Sequence, residues 1–192
     1  MVILQNDSQT LEARRAFGIL FVTVAAAVAM ATILTEIAFL NNTPFYYYVI
    51  IWLGSFSITF GVVFPKIRKS IRSIQGRMKN SMKWPTNAKA INGICWAGPF
   101  AIIPLFPHFY QFLVLLGIGS GNFSTYLFMK IYNSANYREQ MMVGLISLAA
   151  IPIALGIDMT LFISRQDVAI MISRISISIA YGVAGIYALF CE

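Results

Sequence analysis

Two oppositely charged residues, Asp158 and Arg174, lie in the apolar C-terminal part of the chain. Each is eight residues from Gln166, the centre of a predicted helical hairpin, so antiparallel helices would place both at one depth. Eight residues span roughly 12 Å of helix, which would reach into a bilayer, where charged side chains usually pair. The spacing predicts an Asp158–Arg174 ion pair. Such a pair would either couple proton or ion movement or hold the register of the hairpin.

A second group of polar residues is predicted at the outer ends of the helices. Glu36 lies near the end of the first apolar helix, and His108 opens a later helix on the same side. The charged residues would ring an external vestibule that is acidic on balance and attracts cations or amines. They are Glu36, Asp158, Arg165, Asp167 and Arg174, with His108 at the same level. The alternative is that Glu36 and His108 simply lie among the lipid headgroups, His108 within an aromatic belt.

Small residues interrupt two predicted helices near their middle. Gly117-Ile118-Gly119-Ser120-Gly121 lies in one helix, and Gly98-Pro99 lies in the preceding one. Helix interruptions at the membrane midplane expose backbone groups that many transporters use to bind solutes, which makes Ser120 a candidate ligand. Packing is the competing interpretation, because Gly117 and Gly121 form a GxxxG pair that lets helices approach closely. Three further pairs have this spacing: Ser57/Gly61, Ala150/Ala154 and Ser178/Gly182.

The residues that most enzymes need are scarce. His108 is the single histidine, and the two cysteines, Cys95 and Cys191, form no CxxC pair and are predicted to be free thiols. Haem with two histidine ligands, zinc and a Cys/His nucleophile pair are not expected, so neither a metal nor a cofactor is predicted. A lipid-modifying enzyme with Glu36 or Asp158 as general base is the weakest interpretation. The sequence therefore favours a protein that is not an enzyme.

The composition of the chain indicates that membrane-spanning helices position the polar residues named above. The chain has 192 residues, of which 58% are hydrophobic and 11% charged, and its mean hydropathy is +0.73. Such values lie far outside the soluble range and predict an all-α integral membrane protein with one polytopic domain, residues 1–192. The net charge of +7 does not indicate nucleic-acid binding, because the positive charge is concentrated beside the apolar segments.

The apolar segments predict a bundle of six transmembrane helices. They lie at about residues 16–40, 45–64, 91–106, 108–132, 141–163 and 168–191. Helix 2 is predicted to stop at Pro65, and the chain is predicted to break at Pro107-His108, since proline disfavours helix in the residue before it. The alternative has five spans, with one long third helix ending near Gly121.

Charge favours six spans over five. With six spans and both termini cytoplasmic, twelve of the fourteen lysines and arginines face the cytoplasm. With five spans, Lys130 and Arg138 move to the outside, against the positive-inside rule. The predicted location is therefore the cell membrane, with a multi-pass topology.

The segment between helices 2 and 3 is strongly basic. Ile67, Ile71, Ile74, Met78 and Met82 recur at helical spacing on one face, and Trp84-Pro85 closes the run as an interface anchor and a stop. This pattern predicts an amphipathic helix over 66–84 lying among anionic lipid headgroups. The expected lipid contacts are Lys66, Arg68, Lys69, Arg72, Arg77, Lys79 and Lys83. The alternative is an ordinary cytoplasmic loop that obeys the positive-inside rule.

Three functions remain open at this stage. The first is transport of a small solute or ion, based on the helix interruptions, the vestibule and the Asp158–Arg174 pair. The second is a non-catalytic accessory subunit of a membrane complex, or a homo-oligomer, based on the small-residue faces. The third is the lipid-modifying enzyme. Besides membrane lipids, a membrane-complex partner is expected, and nucleic acid is not.

Overall fold

The computed structural model describes the backbone of residues 2–81, 84–158 and 166–190, and the side chains of 12–68, 75, 84–158 and 166–190. These ranges are entirely helical apart from short connections. Their helices are α1 (Val2–Leu40), α2 (Tyr46–Ser81), α3 (Thr86–Ile102), a 3₁₀ turn (Pro107–Phe109), α4 (Tyr110–Asn133), α5 (Arg138–Gly156) and α6 (Gln166–Phe190). All of these except α3 and the 3₁₀ turn are long and apolar enough to cross a membrane. The protein therefore belongs to the helical membrane-protein class.

The hairpin between α1 and α2 is closed by a polar cap. Asn42 adopts a left-handed backbone conformation with φ 51°, which asparagine tolerates better than most residues. The Thr43 N–H and hydroxyl both donate to the Ala38 carbonyl, at 3.1 and 3.0 Å, and the Asn41 amide donates to the Ile37 carbonyl at 2.7 Å. These bonds satisfy carbonyls that the end of α1 leaves unpaired. The turn was predicted at this position, whereas α1 begins well before the predicted residue 16.

Helix α2 does not stop at Pro65, and that prediction was wrong. The helix continues through Pro65 to Ser81, so 66–81 extends α2 instead of forming a separate helix. Proline removes one backbone hydrogen bond, but the flanking turns still carry the helix across it. The role of Trp84 as an interface anchor stays a prediction; its side chain is 95% buried, packs against Phe128 and donates its indole N–H to Asn133 Oδ1 at 2.6 Å.

The break between the third and fourth helices lies where the sequence predicted it. Helix α3 ends at Ile102, slightly earlier than predicted, because Pro104 has no N–H to continue the helical ladder. Phe106 precedes Pro107 in a non-helical conformation. One long helix reaching Gly121 is therefore not formed, whereas the number of spans, five or six, stays a prediction. Helix α5 ends at Gly156, and the predicted remainder of helix 5, from residue 159 on, lies outside the described residues.

The helices group into two compact units. Unit 1 comprises residues 1–83 and 181–192, in which α1 packs against both α2 and the C-terminal part of α6. Its α1–α6 crossing is very close, because a Cβ on Gly185 would lie 3.0 Å from the Gly18 carbonyl oxygen. The Arg14 guanidinium lies 5.1 Å from the centre of the Tyr187 ring. The N-terminal part of α1 and the C-terminal end of α6 are thus neighbours, and the two helices are antiparallel.

Unit 2 comprises residues 84–180 and is organised around α4. Helix α4 packs against α3 on one face and against α5 on another, and both neighbours run antiparallel to it. Buried residues occur all around α4, as expected for a central helix. Three of its buried positions are polar: Gln111, Asn122 and Ser124.

Candidate functional site

Polar side chains form a network between α3 and α4. The Asn92 amide donates to Ser124 Oγ at 2.8 Å and to Thr125 Oγ1 at 2.9 Å, and the Trp96 indole N–H also donates to Thr125 Oγ1, at 3.1 Å. The Thr125 hydroxyl in turn donates to the Gly121 carbonyl at 2.7 Å. Its oxygen and its hydrogen are therefore fully used. Network contacts of this kind hold two membrane helices in register.

The glycines of α4 accept side chains from the neighbouring helices. Gly121 lies under the Trp96 indole, and a Cβ on Gly117 would lie 2.6 Å from the Phe100 ring. On the other side of the helix, a Cβ on Gly119 would lie 2.7 Å from Leu148. These glycines therefore serve packing, and α4 runs without interruption through all three of them.

The predicted helix breaks at the midplane are wrong for both helices. Helix α3 also continues through Gly98-Pro99, and Pro99 is buried inside it. Ser120, the predicted solute ligand, lies within hydrogen-bond distance of two carbonyl oxygens, that of Cys95 at 2.9 Å and that of Leu116 at 2.6 Å. The single hydroxyl hydrogen can therefore be donated either across to α3 or back within α4, and the role of Ser120 as a solute ligand stays a prediction. Cys95 is a free thiol, whereas Cys191 lies outside the described residues.

Among the described residues, buried side-chain atoms without a hydrogen-bond partner occur in unit 1 on Thr35 and Ser55, and in unit 2 on Gln140 Oε1 and on two side chains that are themselves fully buried. They are Gln111, of which only 2% is exposed and both amide atoms are unpaired, and Ser147, which is fully buried. Ser173, by contrast, bonds to the carbonyl four residues before it, as serines in apolar helices commonly do. A buried polar atom without a partner costs about 1–3 kcal/mol. Gln111 and Ser147 therefore mark places where a further polar group would be favoured.

The first turns of α4 and α6 lie together at one end of unit 2. The Gln166 amide donates to the His108 carbonyl at 2.6 Å, and the Arg174 guanidinium lies 3.5 Å from the Tyr110 hydroxyl. The His108 backbone therefore lies beside the first residue of α6. His108 itself is exposed.

The remaining vestibule residues are distributed over both units. Asp158 is half-buried just beyond α5, and Asp167 is exposed in the first turn of α6. Glu36 is half-buried on α1 in unit 1, and Arg165 lies outside the described residues. The Asp158–Arg174 ion pair and the acidic vestibule stay predictions.

The sequence analysis missed Glu139, the most deeply buried carboxylic acid in the described part of the chain, with 1% exposed. It lies in the first turn of α5, where the unpaired N–H groups of the helix favour a negative charge. An acid directly after Arg138 resembles an ordinary loop residue, and only its position at the start of a buried helix distinguishes it. Asn122, which is 2% exposed, was missed for a different reason: it is a single polar residue within an apolar run, and the run alone does not show which face of α4 is buried.

Comparison with known protein families, with curated proteins and with solved structures finds no match for this chain.

Proposed function

We propose that the protein carries a small polar solute or ion across the membrane through unit 2. The observation behind this proposal is the pair of buried, unpartnered polar side chains, Gln111 and Ser147. An apolar side chain at either position would avoid the cost of an unpaired polar atom. A polar solute or water passing through unit 2 would supply the missing hydrogen bonds.

The packing register places these side chains at different depths. Gly119 contacts Leu148, and Phe123 contacts Gly144, so Ser147 lies about level with Ser120. At 1.5 Å per residue, Ser147 is then roughly 13 Å from the level of Gln111. By the same register Glu139 lies roughly 12 Å further along, toward the opposite end of α4. Buried polar groups thus occur at both ends and in the middle of the α4–α5 pair, as a route across the bilayer would require.

The proposed orientation has six crossings and both termini in the cytoplasm. Within unit 1, the neighbouring positions of Arg14 and Tyr187 support placing the two ends of the chain on one side. Helix α3 has 17 residues, which is about 26 Å of helix and close to the 30 Å of a bilayer core. The positive-inside rule assigns the basic side to the cytoplasm.

An accessibility experiment tests the carrier proposal. Single cysteines at positions 147 and 111 would be introduced into the Cys95→Ser, Cys191→Ser background and treated with a small hydrophilic thiol reagent in proteoliposomes. We expect Ser147→Cys to react at least about tenfold faster than Ser124→Cys, a matched control that is also buried but is hydrogen-bonded between α3 and α4. Equal, slow reaction at positions 147 and 124 would contradict a polar route through unit 2.

Flux measurements test the same proposal independently. Light scattering of proteoliposomes challenged with glycerol, urea or ammonium salts would detect facilitated entry of small polar solutes. A Ser147→Leu variant should abolish a flux that the Ser124→Ala variant retains. If no solute enters faster than into protein-free liposomes, and position 147 is also unreactive, the carrier proposal fails.

Orientation is tested by an impermeant thiol reagent added to sealed cells. Cysteines at Gln5 and at the native Cys191 should both be protected from outside, and a cysteine at Phe106 should react. Reaction at only one of the two ends would exclude an even number of crossings.

One observation favours the second function, an accessory subunit of a membrane complex. On α2, no atom of the described residues lies within 4 Å of a Cβ position on Gly54 or Gly61, although Gly18 and Gly185 in the same unit are tightly packed. Ser57, between them, is exposed. If the protein is an accessory subunit, Gly61→Leu should lower co-purification of a membrane partner under mild detergent while leaving the melting temperature unchanged.

A further inference from the structure

The side chain of Gln111 carries both kinds of hydrogen-bonding atom, and neither kind is used. Only 2% of the residue is exposed, and Nε2 and Oε1 both have no partner in the described part of the chain. The amide nitrogen can donate two hydrogen bonds, and the amide oxygen can accept two. Ser147 has the same property on a smaller scale, because its unpaired hydroxyl can both donate and accept. A partner that satisfies Gln111 completely must therefore offer donors and acceptors together.

Ions match the amide of Gln111 poorly. A cation can bind Oε1, but it leaves the N–H groups of Nε2 without an acceptor and places them beside a like charge. An anion can accept hydrogen bonds from Nε2, but it faces the lone pairs of Oε1. In each case one buried polar atom stays unpaired, and the ion also loses its hydration. A neutral solute that carries both kinds of group avoids both costs.

The charged side chains near this level favour neither sign. In the packing register of α4 and α5, Asp158 lies roughly level with Phe109. The Arg174 guanidinium lies 3.5 Å from the Tyr110 hydroxyl. One acidic and one basic side chain, both half-buried, therefore lie close to the level of Gln111. The fields of opposite charges largely cancel, so together they give little net attraction for a cation or an anion.

We infer that the solute is a small neutral amide of the size of urea, and that Gln111 selects it against ions. This inference rests on the carrier function proposed above. An amide fits better than a polyol, because its N–H and C=O groups lie side by side, as those of Gln111 do. Two planar amides can thus form two hydrogen bonds at once, whereas a single hydroxyl satisfies one amide atom well. Ser147 can bond to the same solute farther along the route.

Tracer exchange with three planar molecules of similar size tests the class of solute. Guanidinium carries donors only, nitrate carries acceptors only, and urea carries both. Each would be exchanged across proteoliposomes as an isotopically labelled tracer, at equal concentrations inside and outside, so that no membrane potential develops. We expect urea to exchange at least about tenfold faster than guanidinium and nitrate, after subtraction of the rates in protein-free liposomes.

The outcomes separate this inference from the carrier proposal. The main competitor is a cation, which the predicted acidic vestibule would attract. Exchange of guanidinium or nitrate as fast as that of urea would overturn the selection of a neutral amide and leave the carrier proposal intact. Exchange of glycerol without urea would do the same. The absence of exchange for every tracer would contradict both proposals.

Variants of Gln111 test its role as the selecting residue. Gln111→Met keeps a similar length and volume but removes both hydrogen-bonding atoms, so urea exchange should fall at least about tenfold. Its melting temperature should be equal to or above that of the wild type, because an unpaired polar group is lost. The matched control, Gln75→Met, makes the same change at an exposed position of α2 and should alter urea exchange by less than about twofold.

The ratio of urea to guanidinium exchange makes the test independent of how much variant protein folds. Both tracers would be measured in the same preparation. The ratio should fall at least about tenfold in Gln111→Met and stay within about threefold of the wild type in Gln111→Asn, which keeps the amide. An unchanged ratio in Gln111→Met would overturn the selecting role of Gln111.

Discussion

Replacing Gly121 by alanine tests whether the α4 glycines serve packing. A Cβ at this position would lie 2.6 Å from Trp96 Cε2, and the indole cannot easily withdraw because its N–H is bonded to Thr125. Overpacking of this kind costs about 1–3 kcal/mol. Alanine also favours a helix by up to about 1 kcal/mol relative to glycine, which would partly conceal the cost.

A second alanine variant removes this ambiguity. Within the ranges that the structure describes, no atom lies within 4 Å of a Cβ position on Gly93 of α3, so Gly93→Ala gains the same helix preference without overlap. The difference in unfolding free energy between the two variants is therefore the overlap alone, about 2 kcal/mol. For a protein of this size, 2 kcal/mol corresponds to about 4 to 8 °C in melting temperature.

The measurement is thermal unfolding of purified protein in detergent micelles, followed by tryptophan fluorescence. Gly121→Ala should melt about 4 to 8 °C below Gly93→Ala, and Trp96→Leu should remove most of that difference in a double-mutant cycle. Melting temperatures that agree for the two alanine variants would refute the packing assignment and restore an open site beside Gly121.

Three further predictions concern contacts that hold each unit together. Asn92→Ala should destabilise the protein by about 1 kcal/mol in thermal unfolding, because it removes two hydrogen bonds between α3 and α4. Asn87 is exposed on the same helix, so Asn87→Ala should leave the melting temperature unchanged. Asn42→Val should cost about 1–2 kcal/mol through its left-handed backbone, and a destabilised Asn42→Gly would contradict this reason. Gly185→Ala should have a lower melting temperature than Gly61→Ala, because a Cβ on Gly185 would lie 2.8 Å from the Val22 backbone nitrogen. Equal melting temperatures of the two variants would contradict the close packing of α1 against α6.

The membrane class and most helix positions were readable from the sequence because they depend on local properties. Long apolar runs specify membrane helices wherever they occur, and Pro104 ended the hydrogen-bond ladder of α3 as its covalent structure requires. Pro65 shows the limit of this reasoning. Pro65 also lacks a backbone N–H, yet α2 continues through it. No local sequence rule distinguishes Pro65 from Pro104.

The roles of individual polar residues depended on what faces them. Ser120 and Gln111 both interrupt apolar runs of α4, yet the hydroxyl of Ser120 has carbonyl acceptors on α3 and α4, whereas the amide of Gln111 is buried with no partner in the described part of the chain. Glu139 follows a loop in the sequence but is buried at the start of α5. Hydropathy and charge therefore determined that the chain crosses a membrane, since these are sums over neighbouring residues. Tertiary packing brings together positions that are distant in the chain. It alone decided which glycines contact an aromatic ring and which buried polar groups have no hydrogen-bond partner among the described residues.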